Sequence, residues 1–298
     1  MPSNEVIGFI GLGVMGGPMC GHIARKGDNR VVAFDIVPAA LDAAAKGGAE
    51  AARSLAEVAA AADIVFLSLP GEPQIRALCQ GPGGLIALSR PGQLVVDCST
   101  APVPMTQEIA AAFGAKGVAF VDAPVTRSAQ AARDGTLSFM VGGAAADVAR
   151  ARPYFARMGT EVNHGGPVGA GQFIKLMNNM IVARITHALA EALVVARESG
   201  LVDGETLFQA MATGSADSFV LRNHGLKFMA KDHHPTESFR ISYLLKDLNY
   251  AIGVAESCGV AMEGAYTNRT VLERADKMGF GEKYHTVIVE AIERGRKG

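Results

Sequence analysis

Three glycines near the start of the chain have the spacing of a phosphate-binding loop, G-x-G-x-x-G. In such a loop the first glycine permits a tight turn, the second leaves room for a pyrophosphate, and the third lets a helix pack closely. An apolar run, Val6–Ile10, precedes the loop, and a helix-compatible segment, Val14–Lys26, follows it, as a dinucleotide site requires. The residues predicted to line the dinucleotide are Gly11, Leu12, Gly13, Val14, Met15 and Gly16.

An aspartate ends the next apolar run of the chain. Asp35 closes the segment Val31–Asp35 and lies nineteen residues after Gly16. A carboxylate there can accept hydrogen bonds from both ribose hydroxyls of the adenosine half of NAD, and it would repel the 2′-phosphate of NADP. The alternative is a surface aspartate before the turn at Pro38. The complete order of strand, turn, helix, strand and acid favours an NAD site.

The first half of the chain alternates short apolar runs with alanine-rich stretches. The predicted strands are Val6–Ile10, Val31–Asp35, Ile64–Leu69, Leu94–Asp97, Ala119–Ala123 and Leu137–Val141. The predicted helices between them include Ala39–Lys46, Ser54–Ala61, Thr106–Phe113 and Ala145–Arg157. This alternation predicts βαβ units and an α/β fold with a doubly wound, mostly parallel sheet.

The pattern changes after the glycine-rich stretch that begins at Gly165. A long apolar segment without proline, residues 169–199, predicts a helix that joins the two halves, and Gly200 fits its end. The segments beyond it that are typical of helices are Gly204–Thr213, Ser238–Ser257, Ala265–Met278 and Tyr284–Arg294. We therefore predict a dinucleotide-binding domain over residues 1–165 and a smaller all-α domain over residues 166–298.

Ligands of open α/β sheets bind at the loops that follow the carboxyl ends of the strands. Three segments of this chain are in such positions: Ser68–Gly71, Asp97–Pro102 and Asp122–Ser128. A fourth, Gly169–Asn179, opens the long helix. It places Lys175 and Asn179 four residues apart, on one helical face.

Composition favours an enzyme that acts on small molecules. The 298 residues are 49% hydrophobic with a net charge of −1, which gives no electrostatic basis for binding nucleic acid or an anionic membrane. The N-terminus lacks the basic region of a signal peptide, and no run of about 18 apolar residues predicts a membrane span. The four cysteines form no C-x-x-C pair and the histidines show no metal-ligand spacing. We expect reduced thiols, a cytoplasmic protein and no metal site.

Five motifs in order carry a family resemblance over nearly the whole chain. They are Gly-Phe-Ile-Gly-Leu-Gly-x-Met-Gly from residue 8, Asp-Cys-Ser-Thr-Ala-Pro from 97, Asp-Ala-Pro-Val from 122, Gly-x-Gly-x-x-x-Lys-x-x-Asn-Asn from 169, and Phe239 followed by Lys-Asp-Leu from 246. With these motifs the chain resembles the β-hydroxyacid dehydrogenase family, which includes 3-hydroxyisobutyrate dehydrogenase. The resemblance implies a Rossmann-type domain followed by an all-α domain. It also implies reversible NAD(P)-linked oxidation of a 3-hydroxy acid and a homodimer or homotetramer.

The resemblance assigns the catalytic role to Lys175. Oxidation of an alcohol needs a base for the hydroxyl proton, reduction of an aldehyde needs an acid, and a lysine of lowered pKa serves both directions. A lysine on an exposed helix surface is the alternative, but apolar residues flank this one on both sides. Asn179 would hold the substrate hydroxyl or the lysine in place, or else serve only as a core or capping amide.

The segment Thr126–Ser128 departs from the family pattern, which commonly has Ser-Gly-Gly after Asp-Ala-Pro-Val. Thr126 keeps the hydroxyl, and Ser128 adds another, for binding a substrate carboxylate. Arg127 replaces a glycine with a guanidinium that can bind carboxylate or sulfonate through two hydrogen bonds. This variant resembles branches that act on substrates with a second anionic group, such as 3-sulfolactaldehyde reductases and 2-(hydroxymethyl)glutarate dehydrogenases. An exposed loop arginine is the alternative.

Other residues are expected near the cofactor. Thr100 matches a residue close to the nicotinamide ribose, with an N-cap as its alternative role. Lys246 matches a lysine that closes over the cofactor, and it could instead pair with Asp247 on the surface. The remaining predicted cofactor contacts are Leu69, Pro70 and Phe239.

Three functions fit these patterns. The first is an NAD-dependent 3-hydroxy acid dehydrogenase or the corresponding semialdehyde reductase. The second is an imine reductase, which Lys175 argues against because those enzymes usually carry another residue there. The third is a non-catalytic NAD-binding sensor, which would leave the joint presence of Lys175, Asn179 and Thr126 unexplained.

Overall fold

The structure is a computed structural model that describes residues 4–236 and 238–295. The strands in this part of the chain are β1 Ile7–Ile10, β2 Val31–Phe34, β3 Glu50–Ala51, β4 Ile64–Leu67, β5 Leu94–Asp97, β6 Ala119–Asp122, β7 Val125–Thr126, β8 Leu137–Gly142 and β9 Gly159–Gly166. They form one sheet in the order β3-β2-β1-β4-β5-β6-β8-β7, and β9 pairs with β8. The pairs from β3 through β6 are parallel, whereas β8 is antiparallel to β6 and β7. The predicted α/β class with a doubly wound, mostly parallel sheet is therefore confirmed.

The α-helices of the described residues begin with α1 Gly16–Arg25, α2 Pro38–Lys46, α3 Leu55–Ala61, α4 Glu72–Gln80, α5 Leu85–Leu88, α6 Val103–Gly114, α7 Ala129–Asp134 and α8 Ala145–Met158. They continue with α9 Ala170–Ser199, α10 Gly204–Met211, α11 Ile241–Ser257, α12 Glu263–Ala275 and α13 Ile288–Gly295. The chain divides into two compact units, residues 1–175 and 176–298.

The sheet is buried on both faces, and every residue of its inner strands β1, β4 and β5 is buried. In β4, Phe66 packs with Phe9 and Tyr154 in one core cluster, whereas Leu67 and Val65 belong to a second cluster. Strand side chains alternate between the faces, so each face has its own apolar core. A third cluster fills the second unit.

Several elements of the structure differ from the sequence predictions at their ends. The predicted helix Ser238–Ser257 begins at Ile241, because Arg240 forms an isolated β-bridge with Tyr284. That bridge also replaces the start of the helix predicted from Tyr284, and α13 begins at Ile288 after a short 3₁₀ turn. The helix predicted to run to Met278 ends at Ala275 and continues as a π-helical turn.

The long helix α9 has the length and composition to cross a bilayer. Its most apolar window has a mean hydropathy of 1.4, and 44% of that window is buried inside the protein. Length and composition are weak evidence by themselves, since the core helix of a soluble protein passes the same test.

Candidate functional site

The glycine loop between β1 and α1 has the shape that a dinucleotide requires. Gly11 has a φ of +89°, and a Cβ there would collide with the carbonyl oxygen of Ser68. A Cβ on Gly16 would likewise strike the carbonyl oxygen of Gly11. A Cβ on Gly13, by contrast, would meet nothing within 4 Å. The loop is thus closed toward the protein and open at Gly13, where a pyrophosphate would lie.

Asp35 ties this loop to the end of β2. Its Oδ2 accepts a hydrogen bond from the N–H of Leu12 at 2.6 Å, and its Oδ1 accepts one from the N–H of Val37 at 2.8 Å. The carboxylate is half-buried beside the loop, at the position that recognises an adenosine ribose in folds of this class. These residues fit NAD. Val14 in the same loop is 68% exposed, whereas Leu12 is buried and Met15 is half-buried.

The carboxyl ends of five parallel strands lie in one row. The Cα partners along this row are Phe34, Ile10, Leu67, Asp97 and Asp122. The loops that follow them carry most of the residues predicted to bind ligands, so the register brings those loops to one edge of the sheet. We call this the carboxyl edge.

Ser99 connects two of these loops. Its hydroxyl oxygen accepts a hydrogen bond from the N–H of Leu69 at 2.8 Å, and its own N–H donates to Oδ1 of Asp97 at 2.9 Å. Thr100 follows and is half-buried, while Pro70 is exposed. The predicted cofactor contacts Leu69 and Thr100 thus lie on loops joined by a buried serine that sequence reasoning did not single out.

Asp122 anchors the start of α9. Its Oδ1 accepts from the N–H of Gly169 at 2.7 Å, and its Oδ2 accepts from the N–H of Gln172 at 2.8 Å. The side chain is fully buried, and burial raises the pKa of this carboxyl to about 6 against the hydrogen bonds from backbone N–H groups, which favour the charged form. A negative charge at a helix N-terminus is also favoured by the helix dipole. The sequence placed Asp122 in a family motif but gave it no role.

Lys175 lies on the helix that Asp122 anchors, three residues beyond Gln172 and within the first unit. Its side chain is half-buried. The structure therefore places the predicted catalytic lysine one turn from the carboxyl edge of the sheet.

The Thr126–Ser128 segment runs from the end of the short strand β7 to the start of α7. The hydroxyl of Thr126 donates to the carbonyl oxygen of Ser138 at 3.3 Å, and Ser128 is the N-cap of α7. Arg127 has a φ of +78°, a left-handed conformation that glycine adopts readily and arginine does not. Its Nη1 donates to the carbonyl oxygen of Thr136 and to the hydroxyl of Thr160, the latter at 3.1 Å.

Two predicted residues of the second unit converge on one buried carboxylate. Asn179 donates through Nδ2 to Oδ2 of Asp247 at 2.7 Å, and Nζ of Lys246 lies 3.2 Å from Oδ1 of Asp247. Asp247 is only 2% exposed, so the Lys246–Asp247 pair is not an ordinary surface pair. Phe239 is half-buried, and its ring packs edge-on against His285 with centroids 5.8 Å apart.

Two family patterns match adjoining parts of the chain. The NAD binding domain of 6-phosphogluconate dehydrogenase matches residues 6–166, and the NAD-binding domain of NADP-dependent 3-hydroxyisobutyrate dehydrogenase matches residues 169–292. The chain belongs to the β-hydroxyacid dehydrogenase family. It is accordingly an NAD(P)-dependent oxidoreductase that acts on CH–OH groups, with a Rossmann-type domain followed by a helical domain.

Individual relatives within the family act on different hydroxy acids. The chain is 32% identical to 2-(hydroxymethyl)glutarate dehydrogenase of Eubacterium barkeri, covering 99% of this chain and 97% of the relative. It is 33% identical to NAD-dependent L-serine dehydrogenase of Pseudomonas aeruginosa, covering 95% and 96%. The solved structure of 3-hydroxyisobutyrate dehydrogenase of Mycobacterium tuberculosis with L-serine matches with a TM-score of 0.89 and 29% identity, covering 97% of this chain and 99% of that one.

Proposed function

We propose that this enzyme uses NAD to interconvert a small 3-hydroxy acid and its semialdehyde, with Lys175 as the general acid and base. The observation that carries the proposal is the common edge of the sheet. The register there brings together the open glycine loop, the Asp35 carboxylate and the helix that presents Lys175. The relatives named for hydroxy acids support the substrate class.

Each proposed step belongs to a named side chain. NAD, when bound, supplies the hydride acceptor. Lys175 takes the hydroxyl proton during oxidation and returns a proton to the carbonyl oxygen during reduction. Thr126 and Ser128 bind the substrate carboxylate. Asn179, whose amide is fixed by Asp247, orients the substrate hydroxyl.

Arg127 supports the finer proposal of a substrate with a second anionic group. A left-handed arginine is strained by about 1–2 kcal/mol relative to a glycine. The protein therefore has an arginine at a position where its backbone conformation is unfavourable. Strained residues concentrate at ligand sites, and a guanidinium suits a carboxylate or sulfonate. The candidate substrates are therefore di-anionic semialdehydes and hydroxy acids of the 3-sulfolactaldehyde and 2-(hydroxymethyl)glutarate type.

A panel of mono-anionic and di-anionic 3-hydroxy acids tests the function directly. Protein, NAD and each compound are mixed, and NADH formation is followed at 340 nm. We expect turnover with NAD and weaker activity with NADP, because the Asp35 carboxylate repels the 2′-phosphate. Asp35→Ala should relax that preference. Tight NAD binding without turnover of any panel member would identify a sensor instead.

The role of Arg127 has its own comparison. Arg127→Gly should lower kcat/KM for the preferred di-anionic substrate by about 10–150-fold, the value of a charge-assisted contact of about 1.5–3 kcal/mol, and spare 3-hydroxyisobutyrate. Arg133→Ala, which removes a cation from the neighbouring α7, is the charge-matched control. An unchanged ratio of the two efficiencies in Arg127→Gly would make Arg127 a surface residue only.

Oligomerisation and location complete the proposal. Helix α9 exposes large apolar side chains, including Ile181 at 51% and Val195 at 67%, which a second copy of the chain would cover. We expect a homodimer or homotetramer, measurable by sedimentation. We further propose a cytoplasmic location, which the free thiols of the four cysteines support.

A further inference from the structure

A buried glutamine joins the helix of Lys175 to the loop of Thr100. Gln172 is fully buried, and its Nε2 donates to the carbonyl oxygen of Ser99 at 2.8 Å. Its Oε1 accepts from the N–H of Ala101 at 3.0 Å. The side chain therefore holds the backbone on both sides of Thr100.

The same residue is held from the other direction by Asp122, which accepts its backbone N–H. Close approach of this carboxylate depends on glycine. A Cβ on Gly171 would lie 2.8 Å from Oδ2 of Asp122, and a Cβ on Gly142 would lie 2.5 Å from Oδ1. Such distances are too short for real atoms, so both glycines leave the space that the carboxylate occupies.

We propose that Gln172 and Asp122 are positioning residues of the reaction, which together fix Lys175 and Thr100 in relation to each other. Asp122 sets where the helix starts on the sheet, and Gln172 locks the loop of Thr100 onto the first turn of that helix. The bonds join the ends of β5 and β6 to residues 50 to 73 positions later in sequence. A proton-transferring group displaced by about 1 Å can lose on the order of a hundredfold in rate.

This inference rests on the proposed role of Lys175, and the chain provides a matched control for it. Gln93 is also buried, and its Nε2 donates to the carbonyl oxygens of Ala59 and Ala62 while its Oε1 accepts from the N–H of Arg90. It makes the same kinds of bonds as Gln172, but it lies before β5, at the opposite end of the strand.

The experiment compares Gln172→Leu with Gln93→Leu at saturating NAD and substrate. Both variants should lose stability, because each leaves buried backbone groups without partners. We expect kcat to fall by about 10–100-fold in Gln172→Leu only. In the NAD-free protein, amide hydrogen exchange over residues 168–176 should accelerate in Gln172→Leu and stay unchanged in Gln93→Leu. Should Gln172→Leu fail to fold, Gln172→Glu retains the acceptor for Ala101 and serves in its place.

Lys175→Ala and the double variant Lys175→Ala/Gln172→Leu separate this inference from the function on which it rests. If Gln172 acts through Lys175, Gln172→Leu lowers kcat by much less in the Lys175→Ala background than in the wild-type enzyme. Equal losses of kcat in Gln172→Leu and Gln93→Leu, or a full further loss in the double variant, would overturn the positioning role. Wild-type turnover in Lys175→Ala alone would instead remove the lysine mechanism, and the positioning role with it.

Discussion

An aspartate ties neighbouring backbone segments together at each end of the sheet, but the two aspartates have different partners. Before β4, at the amino edge, Asp63 accepts from the N–H of Val6 at 3.0 Å and pairs with Arg90 at 2.8 Å. After β6, at the carboxyl edge, Asp122 accepts backbone N–H groups, including those of Gly169 and Gln172. Each edge thus has a carboxylate that ties neighbouring backbone segments together.

The charges of the two carboxylates are balanced differently. Burial opposes ionisation of Asp63, but the hydrogen bonds from Arg90 and Val6 and the charges of Arg90 and Arg150 together lower its pKa below the usual value. Burial dominates at Asp122 and raises its pKa to about 6. At the amino edge, the ionised carboxylate of Asp63 is well compensated by its partners. At the carboxyl edge, the ionised carboxylate of Asp122 is poorly compensated, and it is this group that fixes the helix of Lys175. This pattern is typical of functional sites.

The largest predicted difference between the two edges is the effect of removing each carboxylate on kcat. Asp122→Asn removes one of the two acceptors and turns an amide N–H toward backbone donors, so the first turn of α9 should shift. We expect kcat at neutral pH to fall by about 10–100-fold in Asp122→Asn and to stay near the wild-type value in Asp63→Asn. Steady-state kinetics of both variants measure this. Similar kcat values in the two variants would mean that the edges do not differ in function.

A smaller effect concerns stability and pH. The folded-state pKa of Asp122 is raised from 3.8 to about 6, so its stabilising contribution is complete below pH 3.8 and is lost as the pH rises through 6, a change of about 3 kcal/mol. The lowered pKa of Asp63 has the opposite sign, so its contribution is present above pH 3.8 and is lost as the pH falls.

Denaturant unfolding between pH 4 and 7 tests these signs. The free energy of unfolding of the wild type minus that of Asp122→Asn should fall as the pH rises. The same difference for Asp63→Asn should stay constant or rise. Parallel slopes for the two variants would contradict the assignment of charge to the two edges.

Sequence reasoning predicted the parts of the fold that carry local patterns. The central strands are mostly apolar runs and the glycine loop has fixed spacing, so β1, β2, β4, β5, β6 and β8 were all predicted. Strand β9 was missed because its residues are mostly exposed and polar, and it forms only by pairing with β8. Strands β3 and β7 have two residues each, too few to show a period.

The residues of the candidate site likewise fall into those that the sequence indicated and those that only the structure revealed. Lys175, Asp35 and Thr126 could be proposed as site residues from the sequence, because their types and positions match known chemistry, and their roles stay predictions. Gln172 and Ser99 were not, since their significance lies in bonds to segments far away in sequence. The left-handed backbone of Arg127 was also not predicted, although the glycine that the family commonly has at this position is the residue that adopts a positive φ readily.

The measurement that tests the central claim most directly is turnover of Lys175→Ala at saturating NAD, with NAD affinity measured on the same sample. We predict unchanged NAD affinity and a loss of NADH formation at 340 nm of at least about 100-fold, the usual scale for removing a general acid and base. Near-wild-type turnover in this variant would contradict the account, because another group would then have to move the proton.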